Sequence, residues 1–164
     1  MNLLQVIQAI EKTAADQPAV NSIVRNDVYR LNACPSVKYG VFAWLQNEHT
    51  SSEESSLLSF NFTFFYVDRL QEDKRNEVEI QSQGIEALEN ILRRLSDLGI
   101  FPGSYSFRTF NERFSDECAG VFCTVTLDVV KDTLCAEYYG IMQGYAPKYD
   151  EDAHVWIWKD KQII

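Results

Sequence analysis

The sequence predicts an α+β fold in which a mixed or antiparallel β-sheet with a long hairpin is flanked by an N-terminal helix and one long helix. Three observations lead to this prediction: two helical repeats of apolar residues, a pair of alternating segments joined by a polar loop, and further alternating segments towards the C-terminus. The chain has 164 residues, of which 46% are hydrophobic and 24% are charged. These values are typical of one globular domain with a hydrophobic core of its own.

Two segments show the apolar spacing of a one-sided helix. In the first, four apolar residues recur with polar residues between them: Leu3, Ile7, Ile10 and Ala14. Pro18 is expected to end this helix. In the second, six apolar residues predict a helix of about four to six turns that ends near Gly99: Ile85, Leu88, Ile91, Leu92, Leu95 and Leu98.

Alternating segments predict the strands. Residues 20–34 indicate two short extended pieces around a turn at Asn26 and Asp27. Residues 37–46 and 57–68 alternate and form the predicted hairpin, with residues 47–56 as a polar, mostly acidic loop at its mobile tip. Residues 104–110 predict a short strand. Residues 121–130 predict a strand with one buried face and one solvated face, and the solvated face carries Thr124, Thr126 and Asp128.

Aromatic residues are more abundant than one small core is expected to cover. Residues 60–66 place four aromatic rings on one face of a strand whose other face is also largely apolar, so a second covering layer is required. Residues 132–164 are rich in aromatic residues, but glycine and proline interrupt them. We therefore predict a core over residues 1–131 and a C-terminal arm over residues 132–164 that packs on a neighbouring subunit. The subunit-interface candidates are Phe60, Phe62, Phe64, Tyr66, Tyr138, Tyr139, Trp156 and Trp158.

No residue pattern predicts catalysis or a cofactor. Cys118 follows two acidic residues, but neither His49 nor His154 has a sequence-level reason to lie near it, so a packed thiol is favoured over a nucleophile. The four cysteines lack the paired short spacings of a zinc site. Gly84 lacks the glycine-rich neighbours and the Lys-Ser/Thr pair of a phosphate loop. The prediction is a protein that is not an enzyme and binds no cofactor and no metal.

The charge balance is acidic. Twenty-four acidic residues against fifteen basic ones give a formal charge of -9, which argues against a protein whose main role is to bind phosphates. Glu48, His49, Glu53 and Glu54 have metal-ligating side chains, but a solvated acidic loop is favoured because they show no ligand spacing. The sequence has neither a signal-peptide pattern nor the ~20 consecutive apolar residues of a membrane helix, so the chain is expected to be soluble and cytoplasmic.

The order of elements over residues 1–131 resembles the tail-terminator and tail-completion family of tailed bacteriophages, which are small ring-forming proteins of the head–tail junction. Three stretches are also similar to small proteins of phages that infect gut Bacteroides, including the crAss-like phages: "DVYRLNACPSVKYGVF", "FYVDRLQEDKRNEVEIQSQGIEAL" and "RFSDECAGVFCTVTLDV". The resemblance implies a structural virion protein, assembled in the host cytoplasm, that forms a homo-oligomeric ring of six or twelve copies in the phage neck.

The resemblance also implies partners. They are other copies of the chain, adjacent neck, portal or tail proteins, and DNA that passes through the lumen without specific binding; no membrane is involved. The loop with Glu48, His49, Glu53 and Glu54 would project toward the lumen or an adjacent ring. A strand that is apolar on both faces would contact its own helix on one side and a neighbour on the other.

Two competing hypotheses remain at this point. A soluble acidic inhibitor, such as a toxin-immunity protein or a DNA mimic, would share the size, the charge and the absence of a catalytic pattern. It is expected to be a monomer or a dimer with its carboxylates clustered on one face. An enzyme is a more distant alternative.

Overall fold

The structure is a computed structural model of the chain, and it describes residues 1–27, 37–51, 56–111, 117–131, 148–150, 155–158 and 161–163. The helices are α1 (Leu3–Ala15) and α2 (Glu77–Asp97), and a short 3-10 helix, Glu72–Lys74, precedes α2. The strands are β1 (Ser22–Arg25), β2 (Val41–Ser51), β3 (Leu57–Arg69), β4 (Ile100–Pro102), β5 (Phe107–Asn111), β6 (Cys118–Val130), β7 (Lys148–Asp150), β8 (Val155–Trp158) and β9 (Lys161–Ile163).

The strands form one mixed sheet. Among the described residues its order is β4-β6-β3-β2-β1-β9-β8-β7, and β5 also pairs with β6. β1 runs parallel to β2 and to β9, and the other pairings are antiparallel. The predicted α+β class, with a mixed sheet, a long hairpin and two helices, is confirmed.

Local signals set the ends of both helices. The Asn2 side chain accepts a hydrogen bond from the Gln5 N–H at 3.0 Å, and the Gln5 side chain accepts one from the Asn2 N–H at 2.8 Å, so α1 begins with a capping box. α2 ends just before Gly99, as predicted, because the φ of 76° at this residue favours glycine. Within α2, Gly84 faces the sheet and Ile85 is 38% exposed, although the apolar repeat had assigned Ile85 to the buried face.

Both helices lie on the same face of the sheet, which we call the helix face. The main core forms there between α1, α2 and the side chains of β2, β3 and β6 that point toward them. The opposite face, which we call the helix-free face, carries a second and smaller cluster to which no residue of α1 or α2 belongs: Val24, Val41, Ala43, Val67, Phe110 and Cys118. Val37 and Tyr39 pack against this cluster.

The first hairpin strand is longer than predicted. β2 continues to Ser51, into residues that were expected to form the loop, because a β-bulge between Gln46 and Glu48 lets its pairing with β3 resume. The polar composition of residues 47–51 hid this part of the strand from the apolar pattern. The tip of the hairpin is therefore shorter than the ten residues predicted from the sequence.

Part of the C-terminal segment joins the sheet. β7, β8 and β9 form an antiparallel meander, and β9 pairs with β1. The backbone of this segment thus extends the sheet of its own chain. The domain boundary at residue 131 and the packing of the arm on a neighbouring subunit stay predictions. No helix in the described part of the chain is long and apolar enough to cross a bilayer.

Candidate interaction surface

The strand register divides the helix-free face into two halves. Toward the hairpin tip, most of the side chains that β2, β3 and β6 place on this face are polar; Glu48 pairs with Asn61, which pairs with Thr126. We call this region the polar half. Its polar side chains are Asn47, Glu48, Thr50, Ser59, Asn61, Thr63, Thr124, Thr126 and Asp128, and the register places the apolar residues Leu45, Leu57 and Val130 on the same face. The other end carries the smaller cluster together with Phe65 and Phe122, and we call it the apolar half.

The β-bulge places Asn47 on the polar half. Its amide Nδ2 donates to Asn61 Oδ1 at 2.8 Å and to Thr63 Oγ1 at 2.9 Å. Asn61 Nδ2 in turn donates to Thr126 Oγ1 at 3.3 Å. One chain of side-chain hydrogen bonds therefore links β2, β3 and β6 across the surface.

Further polar pairs complete this surface. The hydroxyl oxygens of Thr63 and Thr124 are 3.1 Å apart, and Ser59 Oγ donates to Asp128 Oδ1 at 2.5 Å. A shallow pocket of about 130 Å³ lies among the side chains of Glu48, Thr50, Ser59, Asn61 and Thr126. The nine polar side chains of the polar half include two carboxylates and no Lys or Arg, so the field in front of them is negative.

The apolar half is built around two stacked rings. Phe65 and Phe122 have their ring centroids 5.7 Å apart and their planes at 25°, and both rings remain partly exposed. Phe110 on β5 lies 6.3 Å from Phe122 and covers Gly120, where a Cβ would meet Phe110 Cζ at 2.7 Å. Glycine at this position lets the Phe110 ring lie directly on β6. Partly exposed aromatic rings beside a buried apolar cluster are typical of protein contact surfaces.

Four of the predicted subunit-interface residues belong to the core of the subunit instead. Phe60, Phe62, Phe64 and Tyr66 lie on the helix face, and none is more than 5% exposed. The two helices of the same chain cover them, so these rings present no surface to a neighbour. The face of β3 that carries no helix is the opposite one, with Phe65.

The other predicted site residues are distributed over different surfaces. Glu48 and His49 both lie in β2, but Glu48 faces the polar half while His49 pairs with Phe60 on the helix face, at a centroid distance of 6.4 Å. Trp156 and Trp158 are in β8, where the structure describes their backbone but not their side chains. Tyr138, Tyr139, Glu53 and Glu54 lie outside the described residues. The interface and lumen roles of these residues stay predictions.

The buried thiols are not arranged for nucleophilic chemistry with His49. Cys118 pairs with Arg69 at one end of β3, and His49 pairs with Phe60 near the other end. Residues 60 to 69 are nine steps apart, which is roughly 30 Å along a strand. Cys118 Sγ donates to the Tyr39 hydroxyl at 3.6 Å.

Cys123 is also a buried thiol. Burial, and to a smaller extent the nearby Glu89 carboxylate, raises the pKa of the Cys123 thiol to about 12. The thiol is therefore protonated at neutral pH. Among the residues that the structure describes, no group of three or more His, Cys, Asp or Glu is placed to hold a metal ion.

Sequence reasoning found only part of the polar half. Thr124, Thr126 and Asp128 were expected on the solvated face of their strand, and the structure places them there. Asn47 was assigned to a loop, since a bulge shows in the sequence only as an interruption of the alternation at residues 46–48. No protein-family model matches the chain, and no curated protein matches it significantly.

Proposed function

We propose that this protein is a structural virion protein that forms a homo-oligomeric ring at the phage head–tail junction, where it joins the portal or connector to the tail and surrounds the DNA conduit. The observation that carries the proposal is the divided helix-free face, with a negative polar half at one end and a partly exposed aromatic pair at the other. The resemblance in element order to tail-terminator proteins supports the same assembly.

The polar half has the properties of a conduit lining. The carboxylates of Glu48 and Asp128 repel DNA phosphates, and this half has no Lys or Arg to bind them. Many of its hydroxyl and amide groups already bond to one another, as Asn47 does to Asn61 and Thr63. DNA passing such a surface slides instead of adhering.

The stacked pair Phe65–Phe122 supplies one side of the subunit contact in this proposal. A closed ring uses two different surfaces of each subunit, one meeting the other on the next copy. The second surface is the exposed apolar stripe on α2, where Val78 is 76% exposed and Ile85 is also exposed. The two surfaces are different and lie on opposite sides of the sheet, so one can meet the other on the next copy. Burying these surfaces stabilises the contact by about 25 cal/mol for each Å² of apolar area removed from water.

Imaging of assembled particles tests the ring. We expect six or twelve copies of the chain in a symmetric ring of the neck or tail. Particles in which the chain lies outside any such ring contradict the proposal. A monomer or dimer that binds a basic protein in solution would favour the acidic-inhibitor hypothesis, and native mass spectrometry distinguishes that state from a ring.

A substitution on α2 tests the subunit contact. Val78→Asp places a charge in the proposed interface, and we expect it to abolish incorporation into particles without loss of folding because Val78 is exposed. Leu4→Asp is the matched control, since Leu4 is an exposed apolar residue of the other helix. Equal incorporation of the two variants would exclude the α2 stripe from the contact.

A charge reversal tests the conduit lining. In assembled rings, Glu48→Lys is expected to create DNA binding that weakens steeply with added salt, because it places a ring of cations in the DNA path. Glu86→Lys makes the same change on the exposed side of α2, away from the sheet, and is expected to leave DNA binding unchanged. Equal DNA affinities of the two rings would place the polar half outside the conduit.

A further inference from the structure

We propose that, in the assembled ring, the β7–β9 meander pairs with β1 of a neighbouring copy, so that adjacent subunits are linked by strand exchange. This inference rests on the proposed ring and names the backbone contact that holds it together. It concerns the edge of β1, which in the structure is occupied by β9 of the same chain.

The ladder that attaches the meander is short. Among the residues that the structure describes, β9 pairs with β1 at two positions, Ser22 with Gln162 and Ile23 with Ile163. By comparison, β3 pairs with β2 at ten positions and with β6 at thirteen. Inside the meander, β8 pairs with β7 at three positions and with β9 at three. Among the described strand pairings, the β9–β1 edge is therefore where the meander separates with the smallest loss of backbone hydrogen bonds.

β1 is held in place without β9. It pairs in parallel with β2 along all four of its residues, from Ser22 to Arg25. The side chains of Ile23 and Val24 are fully buried on opposite faces of the sheet, in the main core and in the smaller cluster. The edge of β1 therefore stays ordered when β9 leaves it, and it offers the same hydrogen-bonding groups to a β9 strand from another copy.

The connection between β6 and β7 is long enough for exchange. Sixteen residues, 132–147, separate Lys131 from Lys148. A chain of this length reaches roughly 50 Å when extended. In the sheet order, β7 lies six strands from β6, which is roughly 29 Å at about 4.8 Å per strand. The reach exceeds the path within one chain by enough to meet an adjacent subunit.

The assembled state shifts the balance toward exchange. The β9–β1 contacts are the same within one chain and between chains, so the two arrangements differ mainly in the entropy of the connection. In dilute solution, the meander of the same chain is always nearer to β1 than the meander of another chain. In a ring, the neighbour's meander is present at an effective concentration on the order of millimolar, and exchange adds a link between subunits.

Disulfide trapping tests the exchange. The variant Ser22→Cys/Gln162→Cys places thiols on directly paired positions of neighbouring strands, within the reach of a disulfide. After oxidation, we expect monomeric protein to form a cross-link within one chain and assembled rings to form covalent dimers and larger multimers on denaturing, non-reducing gels. The control Thr63→Cys/Thr124→Cys lies on β3 and β6 and is expected to cross-link within one chain in both states.

A second cross-linking experiment uses only single variants. Rings assembled from a mixture of Ser22→Cys chains and Gln162→Cys chains form the β1–β9 cross-link only between subunits. Rings of either single variant alone control for the native cysteines. Intact mixed rings without a cross-linked dimer overturn the exchange and leave the ring standing. If imaging and native mass spectrometry find no ring, both the exchange and the proposed function are overturned.

Discussion

Arg25 on β1 holds Glu11 on α1 through two hydrogen bonds, with Nε 2.5 Å from Oε1 and Nη2 2.6 Å from Oε2. Glu11 is 1% exposed, whereas the Arg25 side chain is 38% exposed. A bidentate guanidinium–carboxylate pair is both strong and directional. The pair sets the position of α1 over the short strand that also accepts β9.

Removing the guanidinium is expected to destabilise the fold. Arg25→Met leaves a buried carboxylate without its guanidinium partner, and we expect the free energy of unfolding in urea to fall by about 1–3 kcal/mol. The double variant Glu11→Leu/Arg25→Met removes both charges and is expected to be less destabilised than the single variant. A double variant that is as unstable as the sum of the two single changes would show that the pair is not coupled.

Gly84 on α2 lies closer to the sheet than a residue with a side chain could. A Cβ at this position would lie 2.8 Å from Tyr66 Cδ1 and 3.2 Å from Val121 Cγ2, and both neighbours are fully buried. Gly→Ala in a helix normally stabilises by up to about 1 kcal/mol. Here Gly84→Ala is expected to lower the free energy of unfolding by about 1–3 kcal/mol through overpacking. The exposed control Ser82→Ala is expected to have no such cost, and equal thermal stabilities would contradict the close contact.

The turn before α2 contains two consecutive residues with left-handed backbone. Asp73 has a φ of 67° and Lys74 a φ of 55°. This conformation costs an L-residue about 1–2 kcal/mol, and glycine avoids the cost. We expect Asp73→Gly and Lys74→Gly each to raise the free energy of unfolding by about 0.5–1 kcal/mol. Glu72→Gly, at a position outside the left-handed region, is the control and is expected to destabilise.

Asp68 is expected to give part of the stability a pH dependence of unusual sign. Burial raises the pKa of its carboxyl above the ordinary Asp value, although hydrogen bonds from the backbone N–H groups of Arg69 and Gly40 oppose this shift. The folded state therefore binds the proton more tightly than the unfolded state. The contribution of Asp68 to the free energy of unfolding rises as the pH falls through the raised pKa, and it levels off below the unfolded pKa.

Substitution of this carboxyl checks the sign. Asn does not titrate, so the Asp68→Asn variant is expected to lack the gain in stability that Asp68 gives at low pH. Its free energy of unfolding should therefore fall relative to that of wild type as the pH is lowered from about 7 to about 3. Urea unfolding at a series of pH values measures the difference. A difference that stays constant over this range would show that the pKa of Asp68 is the same in both states.

Cys123 is expected to resist alkylation in the folded protein. The thiolate is the reactive form, and with a pKa of about 12 almost none is present at neutral pH. Peptide mapping after iodoacetamide treatment should find Cys123 modified only in denaturant. Ser82→Cys places a thiol on the exposed face of α2 and reports the labelling expected of an accessible cysteine. Equal labelling of both positions in native protein would contradict the burial of Cys123.

Local sequence patterns predicted the fold class, both helices, the hairpin strands and β6, but they predicted neither β4 nor the strands of the β7–β9 meander. The apolar repeat of α2, its end at Gly99 and the alternation of β3 and β6 involve residues a few positions apart, and local spacing specifies them. Polar segments of strands were harder to predict. Residues 47–51 continue β2 without apolar alternation, so their strand became visible only through their pairing with β3.

Which face of each element is covered, and which strands are neighbours, depends on long-range packing and not on local spacing. β3 carries aromatic rings on both faces, and a period of two residues does not say which face meets the helices; α1 and α2 cover Phe62 and leave Phe65 on the other side. The parallel pairing of Ile23 with Ile163 joins residues 140 positions apart. Such contacts depend on which surfaces bury each other and on which backbone groups remain to be bonded in the folded chain, and a local pattern records neither.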